Sequence, residues 1–255
     1  MPLFETKGLT KYYSRRAVVN HVDLHVEKGT VVGILGQNGA GKTTAFRMCI
    51  GMIKPAYGTV FFNGKDVTNL PMYKRSRLGM SYLAQEPTFF RHLTVEENLI
   101  AILQMRGVKR EERRNRADKM LDEFGLSHLK THMAYTLSGG ERRRLEIARA
   151  LCTDPKLMLL DEPFTGIDPI AVGELQDLVA GLKYRGLAVL ITDHNVHEAL
   201  RITDRAYILS KGEIVTHGTS EELLEDPVAR QNYLGYRIQH VHIGREKKEE
   251  EPVKS

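Results

Sequence analysis

Gly36-Gln37-Asn38-Gly39-Ala40-Gly41-Lys42-Thr43-Thr44 decides the reading of this chain. Its spacing, G-x-x-x-x-G-K-[ST], wraps backbone N–H groups around the phosphates of a nucleotide. Before it, Thr30 to Leu35 is a short apolar run rich in β-branched residues and suits a buried strand. After it, Thr43 to Ile50 carries no breaker and suits a helix. Gly36, Gly39 and Gly41 permit positive φ and let the backbone approach phosphate oxygens, while the new helix points its unpaired N–H groups and positive dipole end at them. Asn38, Ala40 and Thr44 complete the cradle, Lys42 reaches the β and γ phosphates, and Thr43 ligates Mg2+.

At 255 residues the chain buries a sizeable core and fits one α/β nucleotide-binding unit with an inserted lobe. Cys49 and Cys152 each sit in a helical run and read as small buried hydrophobes in a reducing compartment. The segment Met1 to Lys7 has no apolar signal region, and no stretch approaches the roughly 20 apolar residues that cross a bilayer. A cytosolic protein is expected. The net charge of +5 supports contact with anionic surfaces without demanding nucleic acid. Arg106, Arg110, Arg113 and Arg114 recur at helical spacing, but Glu111 and Glu112 interrupt them, so a solvated helix face is the simpler reading. Proximity to lipid headgroups, at about 1 kcal/mol per basic residue, is the sharper one.

Val60 to Phe62, Leu157 to Leu160, Ala188 to Thr192 and Ala206 to Leu209 read as further strands, some separated by helices, which argues for a mostly parallel sheet. Lys211-Gly212 turns the last of these into Glu213 to Thr216. Between Thr94 and Leu151 the pattern changes to amphipathic helices. Thr94-Val95-Glu96-Glu97 opens one with a capping box, and Val95, Leu99, Ile102 and Leu103 share a face. Arg245 to Ser255 is almost all charged or polar and is expected to be disordered.

The run Leu157 to Leu160 ends in Asp161 and Glu162, which in a parallel sheet emerge at the carboxyl edge beside the phosphate loop. Asp161 holds Mg2+ through its shell, and Glu162 orients or deprotonates the attacking water. Leu137-Ser138-Gly139-Gly140-Glu141 is a second capping box, continued by the apolar face Leu145, Ala148 and Leu151. Two glycines directly after the cap are costly to order. They make sense where bare backbone approaches an anion, with the serine hydroxyl and the helix N-terminus aimed at it.

With these motifs in order, the chain resembles the ATP-binding cassette family from about Leu3 to Gly235, and Leu137 to Gly140 is similar to its signature. The resemblance implies a P-loop NTPase fold, RecA-like, with a mostly parallel core, an antiparallel β subdomain and an inserted helical subdomain at about 90–152. Residues 1–235 form the nucleotide-binding domain and 236–255 an extension. ATP and Mg2+ are the implied cofactors. Gln85 resembles the residue that senses Mg2+ and γ-phosphate, joining Thr43 and Asp161 at the metal. His194 resembles the switch histidine, and Asp168, in Thr165 to Pro169, the aspartate that connects two sites. Tyr13 resembles the aromatic that stacks on adenine, with neighbouring Tyr12 as the alternative. Catalysis is then expected from Glu162, His194, Gln85 and Lys42. In the family, the signature of one subunit closes over ATP held by the other, so a homodimer is implied with Ser138, Gly139, Gly140 and Glu141 across each nucleotide.

A chain with this engine and no membrane span drives separate membrane subunits, two of them in the family. Phe89, Phe90 and Arg91 follow Gln85 closely. They pack in the core or line a groove that receives a short partner helix. Ser138 to Arg144, Glu146 to Leu151, Phe164 to Pro169 and Thr192 to Val196 resemble the lipopolysaccharide-export branch, which implies a subunit peripheral on the cytoplasmic face of the inner membrane. Branched-chain amino acid importers are the alternative. A non-transport member acting on DNA or the ribosome fits less well, because it usually carries a long insertion or a second cassette. No nucleic-acid partner is expected. His240 and His242 alone do not make a metal site.

Overall fold

A computed structural model of the chain describes residues 1–234. The extension, its charged tail and His240 and His242 lie outside the described residues. The chain opens with two long antiparallel strands, β1 (Phe4–Tyr13) and β2 (Arg16–Val26), followed by β3 (Val31–Leu35) and α1 (Lys42–Ile50). Then come β4 (Tyr57–Phe62), β5 (Lys65–Asp66), α2 (Met72–Leu78) and β6 (Met80–Leu83). Three helices fill the inserted lobe: α3 (Val95–Met105), α4 (Arg110–Glu123) and α5 (Gly139–Leu151). The remainder is β7 (Leu157–Asp161), α6 (Pro169–Gly181), β8 (Ala188–Asp193), α7 (Val196–Leu200), β9 (Arg205–Ser210), β10 (Glu213–Thr219) and α8 (Ser220–Glu225).

The strands make two sheets. The larger has the order β10-β9-β3-β8-β7-β6, parallel from β9 to β6, with β10 antiparallel at one edge. The smaller is antiparallel with the order β2-β1-β4-β5. Val60 to Phe62 therefore departs from the expected place. It is a strand, but it pairs with β1 in the antiparallel sheet and not with the parallel core. Its alternating burial on one side suits that half-buried sheet.

Both faces of the parallel sheet are covered, and the two-residue period of a strand divides its side chains between two cores. Met158, Leu160, Val189, Ile191, Ala206 and Ile208 pack with the inserted lobe, including Leu99, Leu121, Leu145 and Ala148. Leu157, Leu159, Ala188, Leu190, Tyr207 and Leu209 pack on the other face with Phe46, Met48 and Cys49 of α1 and Phe4 and Val60 of the antiparallel sheet. Cys49 and Cys152 are buried, and burial pushes both thiols up to about 12, as expected of inert packing groups.

The far end of α1 is held by Arg75, only 1% exposed. Its guanidinium donates to the carbonyls of Cys49 (2.7 Å), Met48 (3.0 Å), Leu70 (2.9 Å) and Thr68 (3.0 Å). A cation at a helix C-terminus meets the negative end of the dipole, so the charge is neutralised by carbonyls. Both expected capping boxes form, Thr94 with Glu97 and Ser138 with Glu141. The Lys211-Gly212 turn also forms, with both residues at positive φ.

Candidate active site

The phosphate loop leaves β3 at the carboxyl edge of the parallel sheet and enters α1 through Gly41, at φ 104°. α1 begins with no side-chain cap and no acidic residue in its first turn, as does α2, and α4 also lacks a side-chain cap, whereas α3, α5, α6, α7 and α8 are all capped by a side chain. Its first N–H groups are thus left for an anion. Two loop glycines are dictated by the protein itself: a Cβ on Gly36 would lie 2.2 Å from the Leu209 carbonyl oxygen, and one on Gly41 2.5 Å from that of Val18. Gly39, at φ 80°, faces open space.

Lys42 is buried, and its Nζ donates to the carbonyls of Gly36 (2.8 Å) and Gln37 (3.1 Å) and stands 3.9 Å from Glu162 Oε1. Burial holds its pKa below the ordinary lysine value, against the pull of Glu162, Asp193 and Asp161. Asp161 ends β7 in register with Thr192 of β8. Its Oδ1 accepts from the Thr192 hydroxyl at 2.7 Å and its Oδ2 from the Tyr82 phenol at 3.3 Å. Burial, then the nearby Asp161 charge, pushes Tyr82 up to about 12, so it remains a donor.

One residue further, Glu162 adopts φ 43° in the left-handed region, and its N–H donates to the Thr192 carbonyl at 3.1 Å. Its Oε2 accepts from Gln85 Nε2 (3.3 Å) and the Thr165 hydroxyl (3.2 Å) and lies 3.4 Å from His194 Nδ1. Four expected residues thus converge: Lys42, Gln85, Glu162 and His194. Burial pushes neighbouring Asp193 up, against the N–H of Asn195 and the His194 charge.

The expected motifs outside this cluster are intact but separate. Ser138 donates its N–H to Glu141 Oε2 at 2.7 Å, and its hydroxyl accepts from Glu141 N at 3.4 Å. Burial pushes the Glu141 carboxyl up, but the Ser138 N–H and hydroxyl overcome it and hold it below the ordinary value. Among the described residues, no hydrogen bond or ion pair joins Ser138 to Glu141 with the phosphate loop. Gly140 also has a reason that the expectation of bare backbone beside an anion did not contain: a Cβ there would stand 2.9 Å from the Ala171 Cβ of α6. At Gly139 the nearest atom would be the Gly166 carbonyl at 3.5 Å, so packing leaves that glycine unexplained.

Asp168 caps α6, accepting from Ala171 N at 2.9 Å. Tyr13 is half exposed with Lys11 Nζ 5.8 Å from its ring centre, while Tyr12 meets Tyr57 edge-on. Phe89 and Phe90 divide their roles. Phe89 is buried in the core and Phe90 is exposed, its ring 4.7 Å from the Arg149 guanidinium. A groove of about 320 Å³ beside them is lined by Glu86, Pro87, Phe89, Arg91, Tyr135 and Arg142.

Sequence reasoning missed Tyr82, Thr192 and Thr165, which hold the two carboxylates. The register of β7 against β8 would have found Thr192, but register is a tertiary fact. It also missed Arg143, 6% exposed, which donates to the carbonyls of Ala84 (2.8 Å), Pro163 (3.0 Å) and Asp161 (3.2 Å).

A phosphate loop on a parallel sheet, paired acids on the adjacent strand and an inserted helical lobe with a glycine-rich cap define a nucleotide-hydrolysing cassette. The sequence matches the family described as ABC transporter over residues 19–165, and the chain belongs to that family. Among its relatives, an uncharacterized ABC transporter ATP-binding protein of Rhizobium meliloti is 53% identical over 90% of this chain and 85% of its own length. The lipopolysaccharide export system ATP-binding protein LptB of Acidithiobacillus ferridurans is 48% identical over 93% of this chain and 98% of its own. The structure is similar to the ADP conformation of MJ1267, an ATP-binding cassette of an ABC transporter, with a TM-score of 0.84 at 32% identity, covering 92% of this chain and 99% of that one. The protein is therefore an ATP-binding, ATP-hydrolysing subunit of the kind that works as a dimer with membrane subunits. Among the described residues, no helix is long and apolar enough to cross a membrane.

Proposed function

We propose that this chain is the ATPase of a lipopolysaccharide export transporter, acting as a homodimer on two integral membrane subunits at the cytoplasmic face of the inner membrane. The observation that carries the transport substrate is the 48% identity, end to end, with a lipopolysaccharide export ATPase. The site supports the chemistry. Lys42 and the N–H groups of Asn38, Gly39 and Gly41 to Thr44 bind the phosphates, those of Gly36 and Ala40 being given to Asp193 and Gln37, and Tyr13 stacks on the base. Thr43, Gln85 and Asp161 offer hydroxyl, amide and carboxylate oxygens, the hard donor set Mg2+ takes. Bound there, the ion would neutralise charge on the β and γ phosphates.

Glu162 orients and deprotonates the attacking water, and His194 faces the γ-phosphate. The hydrogen bonds that Gln85 and Thr165 make to one oxygen of Glu162, with His194 Nδ1 3.4 Å from it, limit its rotation, so the base is directed before water arrives. Ser138 to Glu141 and Asp168 meet the nucleotide of the second copy, which fits their lack of any bond to this chain's own phosphate loop. The domain spans 1–235, with the helical subdomain at about 90–152 and an extension at 236–255. The groove beside Phe89, Phe90 and Arg91 receives the membrane partner.

Reconstitution tests the proposal. The chain, co-expressed with the two membrane subunits of a lipopolysaccharide export system and placed in vesicles containing lipopolysaccharide, is expected to release lipid only with ATP. Assembly instead with an amino acid importer, and no lipid release, would reject it.

A further inference from the structure

α5 carries two charges that the hydrolytic chemistry does not use. Glu146 is 3% exposed and Arg149 9% exposed, one helical turn apart on the face turned toward the loop after β6. Glu146 Oε1 accepts the N–H of Thr88 at 2.6 Å. Arg149 donates to the carbonyl of the same residue at 2.8 Å. The backbone N–H and C=O of Thr88 are therefore both gripped by one helix. Charge-assisted bonds of this kind are about twice as strong as neutral ones. A charged pair buried here is costly to desolvate unless each member is fully bonded. Glu146 Oε2 meets that condition through Arg143, at 3.1 Å, whereas Arg149 Nε is buried with no hydrogen-bond partner among the described residues, so the arginine is held by its Thr88 bond and the Phe90 ring.

The same Arg149 guanidinium lies 4.7 Å from the ring of Phe90, two residues beyond Thr88. Asn98 of α3 then holds the Phe90 backbone, accepting its N–H at 2.8 Å and donating to its carbonyl at 3.0 Å. An aromatic 42% exposed is otherwise free to turn inward or lie flat. Here its backbone is tethered and one face is covered by a cation.

We infer that Glu146 and Arg149 are positioning residues that pin the Thr88 peptide to the signature helix and so present the Phe90 ring to the membrane partner. The inference rests on the proposed partner groove and adds to it which residues set its shape. It links the helix that begins at Ser138 to the docking surface through bonded contacts alone, with no need for the nucleotide.

The test uses the full chain co-expressed with the two membrane subunits of a lipopolysaccharide export system and compares Glu146→Gln, Arg149→Lys, Phe90→Ala and the double variant Arg149→Lys/Phe90→Ala. Gln keeps an oxygen for Thr88 but turns an amide donor toward Arg143. Lys keeps the charge and loses the flat face. Recovery of the membrane subunits is expected to fall about fivefold in each single variant, as for an interface anchor, with ATP turnover of the isolated chain within about twofold of wild type for Arg149→Lys and Phe90→Ala, Glu146 being bonded to Arg143 beside the catalytic turn. The double variant should lose no more than Phe90→Ala, because both changes remove one presentation of one ring. Additive losses, or full recovery in Glu146→Gln and Arg149→Lys while Phe90→Ala fails to dock, would overturn the inference and leave the groove standing. Full recovery in Phe90→Ala would overturn both. Thermal melting separates misfolding: if a variant melts more than about 8 °C early, Thr88→Pro, which removes both the N–H and the hydroxyl that Glu146 accepts and fixes φ at residue 88, replaces it under the same criteria.

Discussion

At Glu162 the chain leaves β7 with φ 43°, a conformation that L residues adopt at a cost of about 1–3 kcal/mol. The Thr192 carbonyl accepts its N–H and Arg143 grips the preceding Asp161 carbonyl, so the surroundings hold the strained turn. The result is a carboxylate aimed along the sheet edge toward Lys42 and not folded back on its own strand. Glu162→Gln keeps this shape and loses the base. Hydrolysis should fall by about 100-fold or more, while ATP binding, measured by equilibrium dialysis, stays within a few-fold. An ATP-dependent dimer should then accumulate on size exclusion. Turnover near the wild-type rate would show that another group activates water.

Among the elements, α1 is fastened at its far end by Arg75 and left bare at its near one, where the phosphate loop enters it. Arg75 bonds two carbonyls at the C-terminus, those of Met48 and Cys49, and ties them to the Thr68 and Leu70 carbonyls before α2, while the N-terminus has no side-chain cap. Arg75→Met would leave the Cys49, Thr68 and Leu70 carbonyls without this donor, the Met48 carbonyl keeping the Gly51 N–H, and should destabilise the chain by about 3 kcal/mol, read as a lower urea midpoint. Arg75→Lys should recover only part of it, since one ammonium cannot reach four acceptors. At the α5–α6 crossing, Gly140→Ala puts a methyl 2.9 Å from Ala171 Cβ. The expected cost is about 1–3 kcal/mol. Ala171→Gly in the same chain should return most of that loss in melting experiments; no rescue would mean that the glycine is needed for backbone approach alone.

For the molecule as a whole, the proposed function separates three tasks: chemistry at the carboxyl edge of the parallel sheet, partner docking proposed beside Phe90, and closure on a second copy proposed at the caps of α5 and α6. Two outcomes follow at this scale. Chelation of Mg2+ with excess EDTA should abolish hydrolysis while nucleotide binding persists, because the loop N–H groups and Lys42 bind phosphate without the metal. Phe90→Ala should reduce capture of the membrane subunits with little effect on ATP affinity, checked by co-purification and dialysis on the same preparation.

Much of this was legible in the linear chain because the signals are local. A phosphate loop, two capping boxes and an apolar strand ending in Asp161-Glu162 each depend on residues within a few positions of one another, where backbone preference and capping act. The sorting of strands between sheets was not legible. Val60 to Phe62 has the apolar character of a core strand, yet it pairs with β1 across more than fifty residues, and pairing partners are chosen by packing and register. The glycine at 140 is a packing residue because α6 crosses there, and the hydroxyls of Thr192 and Thr165 reach the acids only after the strands align. The sequence by itself determined the reaction class and nominated the residues proposed to perform it, since those chemistries require particular side chains at short spacing. Only the tertiary structure decided which groups orient them and how the signature helix grips Thr88, because contacts between distant segments exist only once two hydrophobic faces have closed.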